Sequence, residues 1–430
     1  MNNGSTIVIR PARNVSGSLR LPGDKSISHR YAMLAGIAEG KTRLENYSTG
    51  ADCASTLACL KNLGVDWTRN ENTVVLGGRG AKLHAPAAPL NCGNSGSTMR
   101  MLSGILAGQD FSSKLIGDES LSRRPMARII APLEAMGARI SSAGGSRPPL
   151  QITGGRLQAI DYDMPVASAQ VKSALLFAGL FADGETRVAE PLPTRDHGEL
   201  ALRAFGATVK RQGREARIEG GQKLHAVDAQ IPGDLSSASF FMCAAALFPG
   251  SHLVINDLLM NPTRTRLVDL LTSMGADIFV SQLEERQGEF RGTLQIRGRS
   301  LSGAVVSGAD TAALIDEIPV LAAIGPHTSS GIEIRDAKEL RVKESDRIAG
   351  LATNLGAMGA EVEERADGLR IAGGQKLRGG EVESFGDHRI AMAFAVAALR
   401  AEGETQIRQA DAAVISYPEF FAVLEKLVQR

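Results

Sequence analysis

The 430-residue sequence is poor in aromatic side chains and in cysteine. Aromatic residues make up 4% of the chain and hydrophobic residues 43%, so we expect an aliphatic core of the kind found in α/β proteins. The cysteines Cys53, Cys59, Cys92 and Cys243 show no C-x-x-C spacing and no pairing logic. They are predicted to be buried thiols in a reducing compartment, which argues against a disulfide framework.

Long apolar runs and an excess of charge of one sign are also missing. No apolar stretch approaches the roughly 18 residues of a transmembrane helix, and the opening residues Met1–Ser5 are polar, without the apolar core of a signal peptide. The formal net charge of +1 argues against a nucleic-acid-binding surface spread over the whole molecule. We therefore expect a cytoplasmic protein with neither a membrane nor a nucleic-acid partner.

Several common catalytic signatures are absent as well. The sequence has no G-x-S-x-G elbow, no H-E-x-x-H motif and no reactive-cysteine context. His388 has no second ligand at metal-binding spacing, so no metal site is predicted. The loop around Lys25 lacks the glycine spacing of a P-loop, which argues against ATP binding.

A helix ending in a Leu-x-x-x-Gly signature recurs five times along the chain. Its glycines lie at positions 64, 137, 206, 275 and 359, with spacings of 73, 69, 69 and 84 residues. Glycine suits a helix C-cap because it adopts the left-handed conformation readily. A hairpin of alternating polarity follows each copy, so the unit is a strand, loop, helix, strand, helix and hairpin. Six such units fill the chain, and the last one is cut short.

Six units divide naturally into two domains of three, since a chain of this length exceeds one core. One domain is predicted over residues 20–228, and the other over residues 229–430 together with residues 1–19. The opening strand Thr6–Pro11 would belong with the second half. Two crossings between the domains favour a hinge with open and closed states and a ligand in the cleft.

Six polar loops, each opening a helix, are the second recurring feature. A helix N-terminus offers unpaired N–H groups and the positive end of the helix dipole. Such ends attract anions, and Lys or Arg in the same loop strengthens the attraction. Several of them converging would bind a small, heavily anionic substrate. The loops are Gly23–Arg30, Cys92–Arg100, Val166–Ser173, Gly233–Ser239, Asp310–Glu317 and Gly386–Arg389.

Two further features could carry acid–base chemistry. The segment Arg341–Arg347 packs five charges into seven residues. On a helix, Lys343 and Arg347 would share a face, with Glu344 beside them as a proton donor. Asp316 ends an apolar stretch, which predicts a half-buried carboxylate with a raised pKa.

Four of these motifs together resemble the 5-enolpyruvylshikimate-3-phosphate (EPSP) synthase family. They are Leu21–Arg30, Gly93–Arg100, Arg341–Arg347 and Asp387–Met392, and the similarity extends over essentially the whole chain. The resemblance implies an α/β fold of two domains, an inside-out barrel built from six βαβαββ repeats, three per domain. It implies transfer of the enolpyruvyl group of phosphoenolpyruvate to the 5-hydroxyl of shikimate 3-phosphate, with release of phosphate, in chorismate and aromatic amino acid biosynthesis.

The resemblance also assigns roles to individual residues. Asp316, Glu344 and Lys25 would be catalytic, with Asp316 deprotonating the hydroxyl and Glu344 or Lys25 protonating the methylene carbon. Shikimate 3-phosphate would contact Lys25, Ser26, Arg30, Ser168, Ala169, Gln170, Lys172, Arg195, Asp316 and Lys343. Phosphoenolpyruvate would contact Lys25, Asn94, Gly96, Arg124, Gln170, Lys343, Arg347 and Arg389. No metal or organic cofactor is required, because lysines and arginines would stabilise the developing charge, and a monomer is implied.

The sequence departs from the family pattern at several positions. Ala169 stands where many members have a second serine, and Ser416 stands where many carry a lysine. Arg195 resembles the branch that binds the shikimate phosphate through arginine. Gly96 leaves room for the inhibitor glyphosate on the phosphoenolpyruvate side, which predicts a sensitive enzyme, although Met101 replaces a usual proline.

Two other functions fit parts of the sequence. The related UDP-N-acetylglucosamine enolpyruvyl transferases share fold and chemistry, but they typically carry a cysteine in a mobile loop, and the corresponding residues Gly117–Pro125 have none. A non-catalytic anion-binding repeat protein would need the polar loops but neither Asp316 nor Glu344.

Overall fold

The computed structural model describes residues 5–430, so residues 1–4 of the polar N-terminus lie outside the described residues. Helices and strands alternate along the chain in a mixed α/β fold. The strands are β1 Ile7–Ile9, β2 Asn14–Val15, β3 Gly17–Arg20, β4 Lys41–Glu45, β5 Asp66–Asn70, β6 Thr73–Gly77, β7 Leu90–Asn91, β8 Ser112–Ile116, β9 Arg139–Ala143, β10 Arg147–Thr153, β11 Leu157–Gln158, β12 Asp161–Asp163, β13 Ala182–Asp183, β14 Glu185–Ala189, β15 Val209–Gln212, β16 Glu215–Glu219, β17 Asp228–Gln230, β18 His252–Leu259, β19 Asp277–Arg286, β20 Glu289–Arg297, β21 Ala304–Val306, β22 Ile332–Ile334, β23 Val362–Arg365, β24 Gly368–Ile371, β25 Glu381–Glu383, β26 Thr405–Arg408 and β27 Val428–Gln429.

The helices fall between these strands. They are α1 Lys25–Ile37, α2 Ala51–Asn62, α3 Gly96–Ala107, α4 Glu119–Arg123, α5 Ala127–Ala135, α6 Ala169–Gly179, α7 His197–Ala204, α8 Leu235–Ala246, α9 Arg266–Ser273, α10 Ala309–Ala313, α11 Ile318–Ile324, α12 Arg347–Ala357, α13 His388–Ala398 and α14 Phe420–Leu427. Short 3-10 helices cover Gly325–His327, Lys338–Val342 and Ala410–Ile415.

The chain forms two compact units. The first unit consists of Pro22–Ile231 and Glu285–Glu289. The second unit consists of the chain up to Leu21, Pro232–Glu284 and Phe290–Arg430.

The larger sheets repeat one topology. An edge strand pairs in parallel with its neighbour, and the neighbour pairs antiparallel with one strand of a hairpin. The first unit contains the orders β17-β4-β6-β5, β7-β8-β10-β9 and β12-β14-β16-β15, and the second contains β19-β20-β18-β3 and β21-β22-β24-β23. The second unit also contains the three-stranded order β1-β26-β25, in which β26 pairs in parallel with β25 and antiparallel with β1. Within residues 5–430 each of these sheets is open, with a linear strand order.

The five glycines of the recurring signature cap helices as predicted. Their φ angles lie between 84° and 111°, in the left-handed region that other residues rarely adopt. Each glycine follows a helix and precedes a strand of the hairpin, so the prediction of a repeated helix–glycine–hairpin unit is confirmed.

Helices made of small residues form the centre of each unit. Every residue of α8 and of α13 is buried in the second unit, and α6 is buried from Val171 to Gly179 in the first. A helix that is apolar on all sides belongs in a core. The N-termini of these helices carry the polar loops, so the core positions the candidate site.

Two of the polar loops run into the helices that they open. The loop Cys92–Arg100 overlaps α3, which begins at Gly96, and the loop Val166–Ser173 overlaps α6, which begins at Ala169. The hydroxyls of Ser95 and Ser168 accept hydrogen bonds from backbone N–H groups three residues later and start these helices. The loop residues Gly96, Ala169 and Gln170 therefore form the first helical turns.

Candidate active site

In the first unit, Lys25 begins helix α1 and is partly exposed. Its Nζ lies 3.1 Å from Oδ2 of Asp52, a residue that the sequence analysis did not select. The helix is capped by Asp24, whose carboxylate accepts a hydrogen bond from the Ile27 N–H at 2.9 Å. The Asp52 contact fixes the ammonium while leaving 18% of the lysine side chain exposed, enough to meet an anion.

Arg30 ties the Lys25 helix to the Ser168 loop. Its Nη1 donates to the Ser26 carbonyl at 2.9 Å, and its Nη2 donates to the Ala169 carbonyl at 3.3 Å. Its Nε donates to Ser173 Oγ at 3.0 Å. The structure thus brings Lys25, Ser26, Arg30 and the first turn of α6 together, as the sequence analysis grouped them.

Gln170 joins the Ser168 loop to the Asn94 loop. Its Oε1 accepts a hydrogen bond from Arg100 Nη1 at 2.7 Å, and its Nε2 donates to Ser97 Oγ at 2.8 Å. Arg100 was quoted within a motif but not proposed as a site residue. A signal was available, because a cation one helical turn after Gly96 must lie on the same face of the helix.

Arg124 is buried against the Asn94 loop. Its Nη2 donates to Asn94 Oδ1 at 2.7 Å, and its Nη1 donates to the Asn94 carbonyl at 3.2 Å. A Cβ built at Gly96 would lie 2.8 Å from Arg100 Nη1 and 3.5 Å from Arg124 Nη1. Asn94 and Gly96 therefore sit directly beside two guanidinium groups.

Lys172, for which the resemblance implies a phosphate contact, is buried and does not share the exposure of Lys25. Its side chain is 1% exposed, and its ammonium lies 3.0 Å from Glu190 Oε1 and 2.8 Å from Glu199 Oε1. The charge is already balanced inside the unit by carboxylates, which removes it from solvent. Arg195 is half-buried in the loop between Glu190 and helix α7.

In the second unit, Arg347 gathers three carboxylates. Its side chain is 1% exposed, its Nη2 donates to Glu344 Oε2 at 2.6 Å, and its Nε donates to Asp387 Oδ2 at 2.8 Å. Asp316 Oδ1 lies 3.9 Å from Arg347 Nη1. Burial by itself would lower the pKa of the guanidinium, but the charges of Asp387, Glu344 and Asp316 outweigh burial and raise it. Arg347 is therefore a permanent cation.

Arg389 completes the cluster from the first turn of α13. Its Nη1 donates to the Asp316 carbonyl at 2.6 Å, and its Nη2 lies 3.6 Å from Asp316 Oδ2. The Asp316 side chain is 18% exposed, which agrees with the predicted half-buried carboxylate.

The predicted helix across Arg341–Arg347 is wrong. A 3-10 helix ends at Val342, the chain is non-helical at Lys343, and α12 begins only at Arg347. The Asp346 carboxylate caps α12 by accepting from the Ala349 N–H at 3.0 Å. Lys343 and Glu344 thus lie on a connecting segment, not on a face shared with Arg347.

Residues 5–430 contain neither a metal-binding cluster nor a membrane-spanning helix. No group of three or more His, Cys, Asp or Glu side chains in this part of the chain is placed to hold a metal ion. None of its helices is both long enough and apolar enough to span a membrane. All four cysteines are buried and free, as predicted.

Comparison with known proteins gives one consistent result. The family described as EPSP synthase (3-phosphoshikimate 1-carboxyvinyltransferase) matches residues 9–424. The chain is 59% identical over 426 residues to a 3-phosphoshikimate 1-carboxyvinyltransferase of Koribacter versatilis, covering 99% of this chain and 100% of that protein. A protein of the same name from Solibacter usitatus is 55% identical over 422 residues, with coverage of 98% and 99%. A solved EPSP synthase from Acinetobacter baumannii is 42% identical with a TM-score of 0.88, and 98% of each chain is covered.

Proposed function

Because the chain belongs to the EPSP synthase (3-phosphoshikimate 1-carboxyvinyltransferase) family, we propose that its two charged clusters carry out enolpyruvyl transfer from phosphoenolpyruvate to shikimate 3-phosphate. The observation that carries the mechanism is the Arg347 cluster of the second unit. It holds two carboxylates, Glu344 and Asp316, next to two buried guanidinium groups, Arg347 and Arg389. Acid–base groups and anion-binding groups are thus supplied together.

The cations bind the substrates. Phosphoenolpyruvate carries a carboxylate and a phosphate, and guanidinium groups form strong charge-assisted hydrogen bonds with both. Arg124 and Arg389 are proposed to bind it, with Asn94, Gly96, Gln170, Lys343 and Arg347. Shikimate 3-phosphate is assigned to Lys25, Ser26, Arg30, Ser168, Ala169, Gln170, Arg195 and Lys343, and Asp316 orients its 5-hydroxyl.

The carboxylates move the protons. Asp316 accepts the proton of the 5-hydroxyl while that oxygen forms a bond to C2 of phosphoenolpyruvate, and Glu344 or Lys25 delivers a proton to the methylene carbon. In the second step the bond from C2 to the phosphate oxygen breaks, phosphate leaves, and the methyl group returns a proton to restore the double bond. Arg347 and Arg389 stabilise the negative charge of the phosphate as it leaves.

Several finer statements remain predictions, some from the sequence pattern and some from the resemblance. These are the six-repeat inside-out barrel, the domain division at residues 20 and 228, the location of the reaction in an interdomain cleft, the monomeric state and the cytoplasmic location.

The test is release of phosphate from phosphoenolpyruvate, measured with and without shikimate 3-phosphate. Release should depend on shikimate 3-phosphate. Asp316→Asn should lower turnover about 10²–10⁴-fold, the usual contribution of one general base, with substrate binding retained. Asp277→Asn is the matched control, because Asp277 pairs with Arg299 on the surface of the same unit.

Each outcome separates the proposal from its alternatives. Phosphate release that requires UDP-N-acetylglucosamine instead would identify the related transferase. Binding of both anions without any turnover would indicate a non-catalytic protein. Near-normal turnover in a well-folded Asp316→Asn variant would remove Asp316 from the mechanism.

A further inference from the structure

Lys172, Glu190 and Glu199 form a buried ion cluster inside the first unit. The Lys172 ammonium lies 3.0 Å from Glu190 Oε1 and 2.8 Å from Glu199 Oε1. The three side chains are at most 2% exposed. The reaction described above does not use this cluster. The cluster nevertheless buries three ionisable groups, and burying charged groups costs free energy.

Each member belongs to an element that carries or adjoins a proposed substrate contact. Lys172 lies in the first turn of α6, two residues after Gln170. Glu190 directly follows β14, and Glu199 lies in the first turn of α7. The loop that joins Glu190 to α7 contains Arg195. The cluster therefore connects the Ser168–Gln170 turn to the Arg195 loop.

Thr194 links the cluster to Arg195 itself. Oε2 of Glu190 accepts a hydrogen bond from the Thr194 N–H at 3.1 Å, and a second one from the Thr194 hydroxyl. One carboxylate thus holds Lys172 with one oxygen and Thr194 with the other. Any shift of Glu190 would be passed to the residue next to Arg195.

Stability alone does not account for such a cluster. The desolvation of buried ions offsets much of their attraction, and apolar replacements of buried ion pairs are often neutral or stabilising. What the Lys172–Glu190 contact does provide is fixed geometry, because it is a charge-assisted hydrogen bond, and such bonds are strong and directional.

We propose that Lys172, Glu190 and Glu199 are positioning residues, which hold the Ser168–Gln170 turn and the Arg195 loop at the separation required by the phosphate of shikimate 3-phosphate. This inference rests on the proposed function. It replaces the direct phosphate contact first predicted for Lys172 with an action through Gln170 and Arg195.

The test removes the side-chain half of the link between Thr194 and Glu190, and it keeps the backbone hydrogen bond and the three ionisable groups in place. Lys172→Met would leave two buried carboxylates without their cation, and loss of folding is expected, so it is not the informative variant. Thr194→Val keeps the shape of the side chain and removes one hydrogen bond to a charged group. The KM for shikimate 3-phosphate should rise roughly tenfold, as expected for one such bond. The kcat and the KM for phosphoenolpyruvate should change less than about twofold. The temperature of the unfolding midpoint should change by no more than about two degrees.

Thr194→Ser retains the hydroxyl and should restore the low KM. Glu185→Gln is the matched control, because Glu185 lies on the same strand β14 and pairs with the surface residues Lys210 and Arg217. An unchanged KM in Thr194→Val, or an equal rise for both substrates, would overturn the inference while leaving the proposed function intact. A wild-type protein that releases no phosphate would overturn both.

Discussion

Gly96 is the residue where the absence of a side chain has the clearest consequence. A methyl group at this position would meet the Arg100 guanidinium at 2.8 Å, and that guanidinium donates to Gln170 Oε1 at 2.7 Å. The nearest atom is the end of a flexible side chain, so Arg100 can move aside at modest cost. The substitution would then alter the anion-binding face of the loop and not its backbone.

Gly96→Ala should therefore weaken glyphosate more than phosphoenolpyruvate. The resemblance places the inhibitor on the phosphoenolpyruvate side, and it is the longer of the two molecules. A misplaced methyl group costs about 1–3 kcal/mol when a site is overpacked, so the ratio of the glyphosate inhibition constant to the KM for phosphoenolpyruvate should rise about tenfold or more. Gly144→Ala is the control, since a Cβ at Gly144 meets nothing within 4 Å. A ratio that stays constant would refute the steric explanation.

At the scale of elements, helices α12 and α13 are joined by one buried carboxylate. Asp387 caps α13 by accepting from the Arg389 N–H at 2.8 Å, and it accepts from Arg347 Nε, in the first residue of α12, at 2.8 Å. It also accepts from Ser345 Oγ at 3.1 Å. A single side chain therefore fixes the two helix N-termini that present Arg347 and Arg389.

Asp387→Asn should lower the free energy of unfolding by about 3 kcal/mol, the lower end for breaking a buried ion pair, because Glu344 still contacts Arg347. Asparagine caps helices as well as aspartate, so the loss would report the ion pair and not the cap. Asp346→Asn is the control, because it also keeps a helix cap and removes only an exposed ion pair with Arg341, so it should cost less than about 0.5 kcal/mol. Denaturant unfolding measures both, and similar losses in the two variants would contradict this explanation.

The elements also show where sequence reasoning succeeded and where it failed. The C-cap glycines were predictable because a local φ requirement leaves a local signature. The break before α12 was missed because a run of charges obscured the capping signal of Asp346.

The strands that pair with β3 and β17 could not be predicted from the neighbouring sequence. β3 immediately precedes α1 but pairs in parallel with β18, and β17 immediately precedes α8 but pairs with β4. Because the repeats are alike, the residue pattern of β3 or β17 fits a partner strand close by in the sequence as well as a distant one. Only long-range packing selects the strand with which each of them pairs. The same holds for Lys172, whose sequence position suggested an anion contact but whose burial depends on two carboxylates distant in sequence.

For the whole molecule, a near-neutral net charge is compatible with local groups of cations. Lysine and arginine number 48, and aspartate and glutamate number 47. The first unit nevertheless gathers Lys25, Arg30, Arg100 and Arg124 around the loops that are proposed to bind the substrates. Composition therefore excluded a broadly basic surface but could not reveal an anion site, which depends on where the loops meet.

Two histidines whose pKa values are lowered, one in each unit, predict how the molecule responds to acid. Burial lowers the pKa of His327 to about 4, with the charge of Arg400 acting in the same direction. Burial and the neighbouring cations Lys25 and Arg30 lower the pKa of His29 well below its ordinary value. In the folded protein both rings are neutral at pH 6, whereas in the unfolded chain they begin to bind protons near pH 6.5.

The stability from these histidines is therefore fully present above pH 6.5 and is lost as the pH falls towards 4. Each proton bound only by the unfolded chain lowers the free energy of unfolding by about 1.4 kcal/mol per pH unit. The free energy of unfolding, measured with denaturant between pH 7 and pH 5, should fall with this slope. In His327→Gln the slope should be smaller, by at most the contribution of one proton. His252→Gln should leave it unchanged, because His252 is exposed on β18. If His327→Gln kept the full slope, His327 would not be a source of the acid sensitivity. The loss of stability would then have to come from other groups in the chain that gain a proton only on unfolding.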